Sequence, residues 1–226
     1  MSESIEQPFS QEEDFKPDNE VYEKASLIVQ TTSSCSKSCP ECYLKENPEI
    51  KKEELNQERY EESISKLNEG DTIALRGGEI TTIRDWFEKF VAPALNKGLK
   101  IIIETNGYFI GKEDYQSILE KINDERISVR ISFDPEHLKD LKEENVSSEF
   151  EKMAIFAEDA ESAGINFGFY SLGMNSEQIQ KFVRGTPLEH YINKFHPLAF
   201  YPQISAVEIK GKYLKSNGNI SDRIEV

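Results

Sequence analysis

The chain has 226 residues, of which 37% are hydrophobic and 31% are charged, as expected for a globular protein with one sizeable core. Its 42 acidic and 27 basic residues give a net charge of -15, which disfavours nucleic acid and anionic membranes as partners. No apolar run approaches the ~20 residues of a membrane helix and the first residues do not resemble a secretory signal, so we expect a cytoplasmic protein.

The predicted elements alternate between strands and helices along the chain. Residues 1–24 carry eight acidic residues and two lysines and are predicted to form a mobile acidic arm. Five short apolar runs then predict strands, each followed by a helical pattern, and a sixth strand is expected at 197–201. The predicted strands are 26–30, 72–75, 100–104, 127–133 and 165–172, and the clearest helices are 56–67, 115–122, 150–163 and 176–183.

This alternation predicts an α/β fold with parallel strands joined by right-handed crossovers. Six units favour a partial, open (β/α)6 TIM-like barrel over 25–205, because a closed eight-fold barrel typically needs ~250 residues. A flat doubly wound sheet is the alternative. Residues 206–226 contain two short strand-like pieces and are predicted to form a hairpin-like extension.

The three cysteines of the sequence lie together in the loop after the first predicted strand, at Cys35, Cys39 and Cys42. An odd number in one loop argues against a disulfide framework and for metal or redox chemistry in a reducing compartment. Three thiolates leave one position of a tetrahedral ion, or one iron of a cubane, open to a further ligand. A structural zinc site and a thioredoxin-like Cys39–Cys42 pair are the alternatives. Zinc would need a distant fourth ligand, however, and the redox pair leaves Cys35 unexplained.

Glycines and polar residues follow the next three strands, where the carboxyl ends of parallel strands share one edge. Two glycines give a ligand room to approach the backbone, and the glutamate after them could take an ammonium group. Each residue also has a structural explanation by itself, as a turn or as the start of a helix. The candidates are Gly77, Gly78, Glu79, Asn106, Ser132 and Asp134.

The ordered combination of Cys-x3-Cys-x2-Cys, Gly-Gly-Glu and Thr-Asn-Gly after three successive strands resembles the radical S-adenosylmethionine (SAM) enzymes, over roughly 26–201. The resemblance implies a [4Fe-4S] cluster on Cys35, Cys39 and Cys42, with SAM chelating the fourth iron. One electron would then cleave SAM to methionine and a 5'-deoxyadenosyl radical, which abstracts hydrogen from a substrate. It also implies that SAM is bound by the six candidates above, with Glu79 holding its ammonium group.

The chain departs from the family pattern next to the third cysteine. The family usually has an aromatic residue before this cysteine, whereas this chain has Glu41 there and Tyr43 one position after it, so Tyr43 is the candidate aromatic contact for SAM. Of the histidines, only His196 is expected to line the cavity, and His137 and His190 are expected at the surface.

Substrate and partners are only broadly constrained by the sequence. The short chain predicts a small-molecule or peptide substrate, with a mild preference for a neutral or cationic one, and an electron donor such as reduced flavodoxin or ferredoxin. A non-catalytic zinc or iron-sulfur module that acts as a scaffold or sensor is the alternative function. A family member that binds the cluster without turnover is a third.

Overall fold

The computed structural model describes residues 25–39, 42, 54–139, 141–198, 212–214 and 220–221. The predicted acidic arm and the predicted boundary between residues 205 and 206 lie outside these ranges, so the domain division stays a prediction. Among the described helices, none is long and apolar enough to cross a membrane.

One sheet organises the described part of the chain. Its strands are β1 (Leu27–Thr32), β2 (Thr72–Gly77), β3 (Lys100–Thr105), β4 (Ile127–Ser132), β5 (Asn166–Leu172), β6 (Phe195–Leu198), β7 (Lys212–Leu214) and β8 (Ile220–Ser221). The helices are α1 (Gln57–Ser65), α2 (Ala92–Asn96), α3 (Tyr115–Ile122), α4 (Pro135–Leu138), α5 (Glu143–Ala163) and α6 (Ser176–Val183). Other helical segments are the 3₁₀ segments Ile80–Thr82 and Pro187–Lys194 and the π-helical segment Phe87–Val91.

The strand order distinguishes the two predicted architectures. The sheet runs β6-β5-β4-β3-β2-β1-β7-β8, and β1 to β6 are parallel neighbours in chain order. From β1 to β6, each strand is added on the same side of the strand before it. Right-handed crossovers then place all the connecting helices on one face of the sheet, whereas a doubly wound sheet needs the direction of strand addition to reverse once. The predicted partial barrel is therefore confirmed. Strand β7 adds to the free edge of β1 in parallel, and β8 pairs with β7 in antiparallel.

Alternation along each strand separates the core from the concave face. In β3, Ile101 and Ile103 belong to the hydrophobic core, while Ile102 and Glu104 occupy the opposite face. The core face is almost entirely aliphatic or aromatic. The concave face becomes polar toward the carboxyl ends of the strands, and there it meets the loops.

Most predicted element positions agree with the structure, and two boundaries do not. Strand β6 begins at Phe195 rather than at residue 197, because Phe195 stacks on Phe169 of β5 with ring centroids 4.9 Å apart. Helix α5 was predicted over 150–163 but already begins at Glu143, within a charged stretch of the chain. Charged residues are compatible with a helix, so charge alone does not mark a loop.

Candidate functional site

A cavity of about 150 Å³ opens at the carboxyl ends of β2 to β5 and is closed on one side by the cysteine loop. This is the edge that the sequence predicted. The residues around it are Cys35, Cys39, Cys42, Arg76, Gly77, Gly78, Glu104, Thr105, Asn106, Arg130, Ser132, Asp134, Glu136, His137, Tyr170 and Leu172. The structure thus brings together all three cysteines and five of the six other described candidates; Glu79 is the exception.

The three thiols surround the cavity mouth. Cys35 is exposed, while Cys39 and Cys42 are half-buried. The loop is tightened by backbone contacts: Cys42 N donates to Cys39 O at 3.3 Å, and Lys37 N donates to Cys35 Sγ at 3.4 Å. Local desolvation and the negative charge of Glu79 raise the pKa of the Cys35 thiol, so metal binding there must displace a proton. Tyr43 lies outside the described residues, and its predicted role stays a prediction.

Gly77 and Gly78 hold the cysteine loop against the end of β2. Gly77 has φ +148°, and a Cβ there would lie 2.3 Å from Thr32 O. A Cβ on Gly78 would lie 1.9 Å from Ser34 O. Gly78 N donates to Thr32 O at 2.7 Å across this contact. Glycine is therefore required at these two positions because the backbone of residues 32–34 approaches them closely, whether or not a ligand also does.

Glu79 is fully buried and does not line the cavity. Its Oε1 accepts hydrogen bonds from Thr81 N (3.1 Å), Thr81 Oγ1 (2.6 Å) and Thr105 Oγ1 (2.8 Å), and its Oε2 accepts one from Asn106 N (2.6 Å). Four donors offset the cost of burying this carboxylate. In this structure Glu79 joins the ends of β2 and β3.

Asn106 connects that network to the cysteines. Its Nδ2 donates to Cys35 Sγ at 3.5 Å and to Ser36 Oγ at 3.2 Å. Its Oδ1 is buried and has no hydrogen-bond partner within the described residues. A buried amide oxygen without a partner is costly unless a donor joins it, so the cavity is suited to a ligand that carries an N–H or ammonium group at this point.

Asp134 and His137 form a buried pair on the opposite wall. Asp134 Oδ1 caps α4 by accepting from His137 N (3.1 Å) and lies 2.9 Å from His137 Nδ1, while its Oδ2 accepts from Leu172 N (3.3 Å). Burial alone would raise the pKa of Asp134, but these bonds and the charge of His137 lower it. Burial alone would lower the pKa of His137, but Asp134 and Cys39 raise it to about 9. Ser132 lines the cavity beside them, at the end of β4.

The predicted positions of two of the three histidines were wrong, whereas His190 is exposed as expected. His137 was expected at the surface, yet its side chain is 16% exposed and lines the cavity. His196 was expected to line the cavity but does not; it stacks on Tyr170, which does line it, with ring centroids 5.1 Å apart. The Asp-Pro start of α4 turns the chain back after β4, which brings His137 to the site.

Sequence reasoning missed a charged row on the concave face. Arg76, Glu104 and Arg130 lie side by side on β2, β3 and β4, with Arg76 Nε 3.6 Å from Glu104 Oε2 and Glu104 in register with Arg130. The Arg130 guanidinium also lies 4.2 Å from the centroid of the Tyr170 ring. These three residues lie within strands. In the sequence, the only indication of such a residue is a charged side chain among apolar neighbours. The cavity thus carries both positive and negative side chains. The net negative charge of the whole chain therefore does not predict which substrate charge the cavity prefers.

The donor set suits an iron-sulfur cluster. Three thiols around one cavity can each bind a different iron of a cluster. The unpartnered amide oxygen beside them fits a cofactor with an amino group. Both observations agree with the cofactors that the resemblance implies.

Comparison with known proteins identifies the same chemistry. Residues 25–153 match the family model of a 4Fe-4S single cluster domain. No curated protein has significant sequence similarity to the chain.

Solved structures share the fold. SuiB from Streptococcus suis bound to S-adenosylmethionine has a TM-score of 0.60 at 15% identity, covering 89% of this chain and 61% of its own. The same protein bound to precursor peptide SuiA gives 0.57 at 13%, covering 89% and 60%. Native anSMEcpe with bound AdoMet gives 0.55 at 18%, covering 77% and 52%. The chain therefore spans about half to three fifths of the length of these proteins.

Proposed function

Since the chain belongs to the family of 4Fe-4S single cluster domains, we propose that it is a radical SAM enzyme, which binds a [4Fe-4S] cluster and SAM in the cavity at the carboxyl ends of β2 to β5. Cys35, Cys39 and Cys42 would hold the cluster. The SAM site would be formed by Gly77, Gly78, Asn106, Ser132, Asp134 and Tyr43, supported by Glu79. The bound cluster, once reduced by the electron donor, would supply the one electron that cleaves SAM to methionine and a 5'-deoxyadenosyl radical, which abstracts hydrogen from a substrate.

One observation carries this proposal: three thiols and the polar ends of four successive strands line the same cavity. The glycines fix the cysteine loop by backbone contact, so the thiols have a defined position relative to the strand ends. Asn106 Oδ1 offers an acceptor to the ammonium group of SAM. Glu79 helps to fix the position of this oxygen, because its carboxylate accepts a hydrogen bond from the backbone N–H of Asn106.

Asp134 and His137 would complete the opposite wall. The aspartate is held in one position by three hydrogen-bond contacts, two from His137 and one from Leu172 N, and a carboxylate can accept one more. The imidazole that it binds lies beside Cys39. Ser132 lies on this wall and could donate to a ribose or carboxylate oxygen of SAM.

For the substrate we propose a small molecule or a peptide, with reduced flavodoxin or ferredoxin as the electron donor. A peptide is supported by the fold relative whose structure contains a precursor peptide. Reduced cysteines and an oxygen-sensitive cofactor also favour a cytoplasmic setting. Arg76 and Arg130 stand beside the SAM site, so an acidic substrate is as compatible with this cavity as a basic one.

The test is anaerobic reconstitution with iron and sulfide. We expect a brown protein with about four irons per chain that, with dithionite, converts SAM to 5'-deoxyadenosine. The matched control replaces Cys39 by alanine, which should remove the colour and the product together. A colourless protein that retains one zinc ion would contradict the proposal, and so would a four-iron protein that never cleaves SAM.

A further inference from the structure

The inference concerns the reduction potential of the proposed cluster and rests on the proposed function. A cluster takes its potential partly from the hydrogen bonds that its sulfur ligands receive. In the described residues, Cys35 Sγ receives two: one from Lys37 N in its own loop and one from Asn106 Nδ2, which comes from the end of β3. The second bond depends on tertiary structure, and a substitution can remove it.

We infer that Asn106 tunes the cluster by donating this hydrogen bond to the Cys35 thiolate, and that Glu79 is the positioning residue that holds Asn106 in place. Only the nitrogen of an amide can face a thiolate, so a bound cluster requires the orientation seen here. The same orientation leaves Oδ1 for a donor on the other side. One side chain would thus contact the cluster and SAM at once.

The geometry explains why Glu79 is buried rather than exposed to the cavity. Its Oε2 binds Asn106 N at 2.6 Å, and its Oε1 binds the neighbouring Thr105 hydroxyl at 2.8 Å. The turn is closed further by Gly107 N, which donates to Thr105 Oγ1 at 3.0 Å. Three contacts therefore fix the backbone from which the amide of Asn106 extends. If this turn were mobile, the 3.5 Å hydrogen bond from Asn106 Nδ2 to Cys35 Sγ would be lost.

The direction of the effect follows from charge. Reduction adds an electron, part of which resides on the sulfur ligands, so a donor to the thiolate stabilises the reduced cluster more than the oxidised one. Removing the donor should make the midpoint potential more negative. We expect Asn106→Ala to shift the reduction equilibrium about tenfold, which is about 59 mV for a one-electron couple.

The experiment is a potentiometric titration of the reconstituted 226-residue chain, in which the EPR signal of the reduced cluster is recorded at each potential. Asn106→Ala and Asn106→Asp both remove the donor, and both should lower the potential. Thr105→Val removes the hydroxyl that binds Glu79 Oε1 without a change of charge, so it should lower the potential in the same direction, while the double variant Thr105→Val with Asn106→Ala should show no shift beyond that of Asn106→Ala. This non-additivity separates positioning from a general structural effect. Asn123→Ala, at an exposed position after α3, is the control and should keep the wild-type potential.

The outcomes separate this inference from the proposed function. An unaltered or raised potential in both Asn106 variants would overturn the inference while wild-type iron content and SAM cleavage still stood. Loss of the irons from both variants would also overturn it, because a residue that only tunes a cluster is not needed to hold it. Additive shifts in the double variant would remove Glu79 from the assignment. A wild-type protein without the four-iron signal would instead overturn the proposed function.

Discussion

Replacing Gly78 by alanine tests whether the glycine pair positions the cysteine loop. The new Cβ would lie 1.9 Å from Ser34 O and 2.4 Å from Ser34 C. The oxygen would have to retreat by about 1.1 Å to reach 3.0 Å, below which real Cβ contacts essentially do not occur. Since the two atoms of Ser34 that the new Cβ meets are both backbone atoms, no side-chain rotation can relieve the clash.

The cost can be worked out from the contacts that the movement breaks. Ser34 O accepts a hydrogen bond from Glu79 N at 2.8 Å, and a shift of that size in the direction away from β2 would end it. An amide left unpaired at this buried position costs about 1–3 kcal/mol. Urea denaturation of the metal-free protein should show this loss of unfolding free energy. Anaerobic reconstitution should show less iron bound, because the displaced loop carries Cys35.

Gly111→Ala is the matched control. Gly111 has φ +74° and open space around it, so alanine there adds backbone strain of about 1 kcal/mol without moving the cysteine loop. This variant should bind iron as the wild type does. If Gly78→Ala bound iron equally well and lost no more stability than Gly111→Ala, the proposed role of the glycine pair would be refuted.

Three further predictions follow from other contacts. Tyr60→Phe removes the hydroxyl that donates to the buried Phe90 carbonyl oxygen, so it should lower the unfolding free energy by about 1–3 kcal/mol in urea; no change would contradict the assignment. The Arg126 side chain lowers the pKa of Asp124 by hydrogen bonding, so this pair stabilises the fold above the unfolded aspartate pKa of about 3.9 and the contribution disappears as the pH falls through the lowered value. The stability difference between wild type and Asp124→Asn should therefore shrink toward acid, and a difference independent of pH would refute this. Cys39→Ser should fail to retain about four irons on reconstitution, measured by iron assay, if the thiol is a ligand.

The fold could be predicted from the sequence because its determinants are local. Alternating strand and helix patterns of ordinary length specify βα units, and the handedness of crossovers restricts how such units assemble. Helix α6 was predicted with its observed bounds, since Asn175 and Gln178 cap its start within four residues. The choice between a barrel and a doubly wound sheet needed the strand order, which no local pattern contains.

The candidate site was predicted only in part, for the same reason. Residues that follow strands could be assigned to one edge because parallel strands end together, and Asn106 and Ser132 do line the cavity. The burial of Glu79 could not be foreseen, since it depends on donors from β3 that are distant in sequence. The position of His137 depends on the turn after β4.

By itself, the sequence determined which residues could bind a cluster and which end of the sheet would carry them, because spacing and strand ends are properties of neighbouring residues. The tertiary structure decided which of those residues line the cavity and which, like Glu79, are buried behind it and hold the lining residues in place. It also placed Arg76, Glu104 and Arg130 side by side. Register across parallel strands sets this last result, because it decides which residues of neighbouring strands stand opposite one another. The contacts of Glu79 come from donors 26 and 27 residues away along the chain, which only the folded structure brings together.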